Sequence, residues 1–289
     1  MCDDVINQGL VEDHRLTRRT FGLLVAATAG TAAVAADPGA KPVTERDVTV
    51  KTPDGQCDAV LFHPTGKGRW PAVLVWPDIM GLRPVFRDMG RRLAAQGYVV
   101  LVPNPFYRSK KAPVVEGAID FTNPDTRKTL FGYRGAMTPD GVAHDGQAYL
   151  AFLDAQAQTD TRRKAGVQGY CMGGELSFRT AAAVPARIAA VGSFHGGNGL
   201  VTDKPESPHL LIPRTNARFL VAHATNDDAQ NPQMKDALKA AFVDAKRPAT
   251  VDVYAANHGW CVPGGQAYDV AEAERAWSAL MQLYRTALV

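Results

Sequence analysis

Cysteine is scarce in this 289-residue chain, with four in all. No two are spaced C-x-x-C, which argues against a zinc ribbon or a thioredoxin-like redox site. A dominant charge is missing too. Lys and Arg number 32 against 29 Asp and Glu, a net charge of +3, too small to point to a nucleic-acid partner. There is no long charge run and no internal repeat. No apolar run is long and hydrophobic enough to span a bilayer, so no stable membrane anchor is expected. His195, His223 and His258 are the histidines a metal would need, and their spacing fits no ligand pattern. Neither a metal nor a cofactor is expected.

The remaining composition is that of a globular protein, 46% hydrophobic and 21% charged. The N-terminus stands apart. Thr17-Arg18-Arg19-Thr20-Phe21 is a twin-arginine pair before an alanine-rich apolar stretch from Gly22 to Ala36. That arrangement fits an export signal handled by the twin-arginine machinery. Residues 1–36 are expected to be the signal, cleaved near Ala35 or Ala36, and 37–46 a linker. Residues 47–289 are expected to form a single domain in the periplasm. Cys2 falls in the signal. Cys57, Cys171 and Cys261 are left, an odd number in a compartment that permits disulfides.

Within the domain, strand and helix patterns alternate. Asp47–Lys51 and Cys57–His63 flank Pro53-Asp54-Gly55, a hairpin signal. Continuous apolar runs at 71–76, 98–102, 165–170, 188–193, 218–223 and 250–254 read as buried strands. Helical spacing appears at 85–96, 140–156, 172–183, 232–245 and 268–288. Residues 109–138 mix charges, prolines and glycines, and read as a long excursion of the kind that covers a site. The alternation predicts an α/β fold, a mostly parallel central sheet with helices on both faces.

One stretch organises the rest. Gly169-Tyr170-Cys171-Met172-Gly173-Gly174 has the form G-x-C-x-G between a strand and a helix. Its serine counterpart G-x-S-x-G is the nucleophile elbow of α/β-hydrolases. Gly169 and Gly173 leave room for a strained turn with Cys171 at its tip. The amides of the following helix point at the sulfur and favour a thiolate.

Ligands of such sheets sit beyond the carboxyl ends of the strands. There the chain places Asp78, Cys171, His195, Asp227 and His258. Cys171, Asp227 and His258 follow the hydrolase order of nucleophile, acid and histidine, with Asp227 preferred to its neighbour Asp228. In that reading Cys171 attacks a carbonyl carbon, His258 moves the proton and Asp227 orients the imidazole. The amides of Met172 and Ile79 would form the oxyanion hole.

At this point the sequence resembles the dienelactone hydrolase (carboxymethylenebutenolidase) family. Gly169–Gly174 is similar to its G-x-C-x-G-G elbow. Trp76-Pro77-Asp78-Ile79-Met80-Gly81 is similar to its loop of acidic residue, Ile, aromatic and Gly, and His258-Gly259-Trp260 to its histidine motif. The resemblance runs from about Val48 to the C-terminus. It implies an α/β-hydrolase fold and a small ester or lactone as substrate, cleaved through an acyl-cysteine.

Two positions depart from the family. Its activating loop acid is Glu, where this chain has Asp78, one methylene shorter. Its arginine four residues after the histidine is here Val262. Arg83, Arg127 and Arg134 are the candidates to replace that arginine, Arg127 foremost. His195, Trp260 and Tyr107 are further candidates to line or shape the pocket; the alternative for His195 is a structural histidine bonded to backbone, and for Trp260 and Tyr107 it is packing. Thioesterase or acyltransferase chemistry on the same triad is the nearest alternative function. A non-catalytic redox-responsive protein is the alternative of another class.

Overall fold

The computed structural model describes residues 39–115 and 120–289. The expected signal at 1–36, with Cys2, lies outside the described residues. The first element is a hairpin. β1 (Val43–Thr52) and β2 (Gly55–Pro64) pair along their full length, from Val43↔Pro64 to Thr52↔Gly55. β1 therefore starts at Val43 rather than Asp47, because backbone pairing carries it beyond the apolar pattern.

The chain then alternates: β3 (Ala72–Trp76), α1 (Pro84–Ala95), β4 (Val99–Pro103), α2 (Pro124–Gly135) and α3 (Pro139–Asp154). β5 (Ala165–Tyr170), α4 (Met172–Ala183) and β6 (Ile188–Phe194) follow. β7 (Arg218–Ala224), α5 (Thr225–Gln230), α6 (Met234–Asp244), β8 (Ala249–Tyr254) and α7 (Val270–Ala287) complete it.

Several helices start where local chemistry dictates. Asn123 caps α2 by accepting from the amides of Asp125 and Thr126, with Pro124 in the first turn. Thr138 and Pro139 repeat the device for α3. Asp269 caps α7 by accepting from Glu272 N. The helix α2 lies inside the stretch whose sequence reads as irregular. It buries one residue, Leu130, so it carries almost no apolar stripe to read.

The eight strands form one sheet in the order β1-β2-β4-β3-β5-β6-β7-β8. The pairs β1/β2 and β2/β4 are antiparallel, and every pair from β4/β3 through β7/β8 is parallel. Every residue of β3, β4 and β5 is buried, as expected for strands covered on both faces. Alternate side chains feed two cores. Leu74, Trp76 and Val167 pack with Tyr149, Leu176 and Phe178. Val73 and Val75 pack with Phe86, Leu93, Leu280 and Tyr284.

The position of β3 matters most for function. Its neighbours are β4 on one side and β5 on the other. The chain thus winds first one way and then the other, and the ends of β3 and β5 flank the switch point where such sheets bind ligands.

Candidate active site

Cys171 sits where β5 turns into α4, with φ 54° and ψ −120°. A non-glycine residue rarely adopts this geometry, and the surroundings hold it there. A Cβ at Gly169 would lie 1.8 Å from the carbonyl oxygen of Gly173, and one at Gly173 would lie 2.5 Å from that of Trp76. Neither position admits a side chain without moving backbone, so these two glycines permit the tight turn. The Cys171 amide donates to Phe194 O at 3.0 Å and to His195 Nδ1 at 3.2 Å. The residue caps the 12-residue helix α4, whose first amides carry partial positive charge toward it.

His258 arrives from the loop after β8. Its Nδ1 lies 2.8 Å and 3.0 Å from the two carboxylate oxygens of Asp227. Asp227 is fully buried in α5, directly after β7. Other bonds tie these two loops together. His258 N donates to Asn226 Oδ1 at 2.8 Å, Thr225 N to Ala256 O at 2.9 Å and Thr225 Oγ1 to Tyr254 O at 2.9 Å. Acid and histidine are therefore positioned by one cross-linked unit.

Burial opposes charge on His258, yet Cys171 and then Asp227 outweigh it and raise its pKa well above the ordinary imidazole value. With Nδ1 committed to Asp227, Nε2 is left without a nitrogen or oxygen partner among the described residues. That is the nitrogen a proton-transferring histidine needs free.

Cys171, Met172, His258 and Ile79 all line one cavity of about 620 Å³. This is within the size range of small-molecule sites. Part of its wall is charged. Arg134 Nη2 lies 2.7 Å from Glu175 Oε2, and Arg179 Nη2 lies 3.1 Å from Glu175 Oε1 and 2.8 Å from Glu206 O. Lys204 also faces the cavity. Glu175 and Arg179 belong to no motif in the sequence, although one signal for the first is present. It follows Cys171 by four residues, so a helix starting there places both on one face.

The other sequence candidates lie elsewhere. Asp78 is fully buried and grips Arg83 with both oxygens, at 2.6 Å and 2.9 Å, while accepting from Met80 N at 2.9 Å. It braces the loop that carries Ile79 and is absent from the cavity wall. Arg83 is committed to Asp78. Arg127 lies partly exposed on α2, outside the wall, whereas Arg134 is in it. Tyr107 donates to Asp145 at 2.7 Å and bonds Thr52, away from the cavity. Trp260 is fully buried and stacked on Tyr254 at 4.7 Å and 13°, a packing role. Val262 is buried in the core between the sheet and α1 and α7. His195 is fully buried behind the elbow. Among the described residues Cys57, Cys171 and Cys261 are all free thiols, and no helix is long and apolar enough to cross a membrane.

A mixed sheet of this order, flanked by helices on both faces and bearing a tight strand–turn–helix elbow at its switch point, defines an α/β-hydrolase. The chain belongs to the dienelactone hydrolase family, whose signature it matches over residues 57–288. It is 26% identical over 292 residues to a Methylorubrum extorquens protein named "Putative carboxymethylenebutenolidase", covering 96% of each chain. An Escherichia coli K12 protein of the same name is 27% identical over 222 residues, 75% of this chain and 78% of that one. Among solved structures, a dienelactone hydrolase-like promiscuous phosphotriesterase from metagenomic libraries superposes with a TM-score of 0.69. It shares 24% identity over 86% of this chain and 100% of that chain, a likeness of fold.

Proposed function

We propose that the protein hydrolyses a small ester or lactone through a covalent acyl-cysteine. The observation that carries this reading is the shared cavity. Cys171, His258 and the residues of both expected oxyanion amides open onto it, while Asp227 holds the histidine from behind.

The thiolate of Cys171 attacks the substrate carbonyl carbon, and the C=O electron pair moves onto oxygen. The amides of Met172 and Ile79 receive that oxyanion. As it collapses, the C–O bond to the leaving group breaks and the His258 imidazolium protonates the departing alkoxide. In a lactone that alkoxide stays tethered to the acyl group. Water then attacks the thioester with neutral His258 as base. The carboxylic acid leaves and the thiolate–imidazolium pair is restored. Asp227 stabilises the imidazolium at each stage. The family match supports the ester or lactone class. Arg134 supports a polar end to the substrate, because it lines the cavity and bonds Glu175 through one nitrogen.

A panel of activated esters and lactones tests the reading. Hydrolysis by the wild-type protein, abolished by iodoacetamide and protected by substrate, is expected. Turnover that iodoacetamide leaves intact would overturn it.

The same proposal puts the enzyme in the periplasm, on the strength of Arg18, Arg19 and the apolar stretch after them. Replacing both arginines by Lys is expected to leave precursor in the cytoplasm. Unchanged export by the twin-arginine route would contradict it.

A further inference from the structure

His195 follows the last residue of β6 and is fully buried, with φ 38°. Its backbone amide donates to Ala222 O at 2.8 Å, which pins it to β7. Its Nδ1 shares the Cys171 amide with Phe194 O, at 3.2 Å against 3.0 Å. Its ring stands edge-on to that of His258 with centroids 4.9 Å apart, and edge-on to Trp260 at 6.1 Å. One buried imidazole thus touches the backbone of the nucleophile and the ring of the proton carrier.

The tautomer follows from the bond. An Nδ1 that accepts an N–H carries a lone pair, which assigns the proton of a neutral His195 ring to Nε2, an atom with no hydrogen-bond partner among the described residues. Protonation would turn Nδ1–H against the Cys171 N–H and add a second cation beside His258. Burial, and then His258, push His195 well below the ordinary imidazole value. The two adjoining rings therefore have opposite tendencies: His258 takes the proton and His195 refuses it.

We infer that His195 is a positioning residue, which holds the strained elbow of Cys171 through its amide and packs a neutral ring against His258. Sulfur and imidazole are thereby kept in register. The inference rests on the reading of Cys171 and His258 as the reacting pair. The left-handed backbone at this position favours Asn as the acceptor-bearing substitute. Asn tolerates that conformation, and its Oδ1 stands in the place of Nδ1. Phe fills the ring volume but offers no acceptor.

The test compares His195→Asn and His195→Phe with wild type, measuring kcat and KM on an activated ester and the rate of Cys171 alkylation by iodoacetamide. Misplacement of reacting groups costs rate more than binding, so in His195→Phe kcat is expected to fall roughly 10- to 100-fold with KM nearly unchanged. Alkylation should slow as well. His195→Asn is expected to recover most of the alkylation rate and part of kcat, the rest depending on the lost ring contact. Melting temperatures of both variants show whether a loss is one of folding. Wild-type kcat and alkylation in folded His195→Phe would overturn the inference, as would a His195→Asn as slow as His195→Phe on both readouts. If the wild-type protein forms no acyl adduct at Cys171, the reading of the reacting pair fails and takes this inference with it. An adduct in wild type with an indifferent His195 sinks the inference alone.

Discussion

Cys57 and Cys171 are both buried thiols of one sheet, and their surroundings differ in kind. Cys57 lies within β2, fully inaccessible, accepting from Tyr149 Oη at 3.1 Å and facing the carbonyls of Asp58 and Asn104. Burial pushes its thiol up to about 12, and the Tyr149 bond offsets only part of that. Cys171 stands at a strand end with a positive φ, at the head of a helix, opposite a histidine whose charged form is favoured. Both thiols are buried, but only one opens onto a cavity. Burial alone makes a thiol inert. A reactive one needs a backbone held out of the strand, a cation within reach and a space for substrate.

The contrast is tested most directly at the thiols themselves. Cys171→Ala is expected to lower turnover by roughly 10³-fold or more, leaving only what the oxyanion hole and binding supply. Cys57→Ala should keep turnover and its sensitivity to iodoacetamide. Equal losses in the two variants, measured as kcat/KM, would erase the distinction. Next in size is the support of the cation. Asp227→Asn should cost about 10²–10⁴ in kcat, because Nδ1–H loses its carboxylate and the imidazolium its counter-charge. A loss confined to KM would show that Asp227 acts on substrate instead.

A smaller effect concerns the loop that carries Ile79. Arg83→Met leaves the fully buried Asp78 carboxylate without its partner, and such a break costs about 3–5 kcal/mol. Denaturant unfolding would show it. Unchanged stability would mean that the ion pair braces nothing. Smallest is the pH response of the two adjoining histidines. A group held neutral, like His195, contributes stability that is present above its unfolded value and fades as pH falls below about 6.5. A group held charged, like His258, contributes stability that is present below about 6.5 and fades as pH rises through its raised value. His195→Asn should therefore flatten the acid side of the melting curve against pH, and His258→Gln the alkaline side. His223, also lowered by burial, keeps the first effect partial. The reverse assignment of sides would contradict the opposed shifts.

Much of the fold and of the proposed reacting pair is legible in the sequence, for physical reasons. The elbow announces itself because only glycine fits at 169 and 173. The proposed triad can be read in order because strand ends collect at one edge of the sheet, where Cys171, Asp227 and His258 follow β5, β7 and β8. Residues whose placement depends on a partner far away in sequence are not legible. Arg134 is one of three arginines the sequence offers, but its choice over Arg127 depends on α2, whose start at Asn123-Pro124 carries a cap signal but whose apolar stripe is too thin to extend. Asp78 stands at the expected strand end, yet its two bonds to Arg83 depend on a loop path that no periodicity encodes. Trp260 and Tyr107 look the same as wall residues would, because aromatic residues near a strand end serve packing and pocket alike.

The most direct measurement is intact-mass analysis after rapid mixing of the wild-type protein with an activated ester, followed by peptide mapping. A transient gain of one acyl group on Cys171 is expected, absent in Cys171→Ala and present in Cys57→Ala. Turnover with no adduct at any time, or an adduct on another residue, would contradict the acyl-cysteine mechanism.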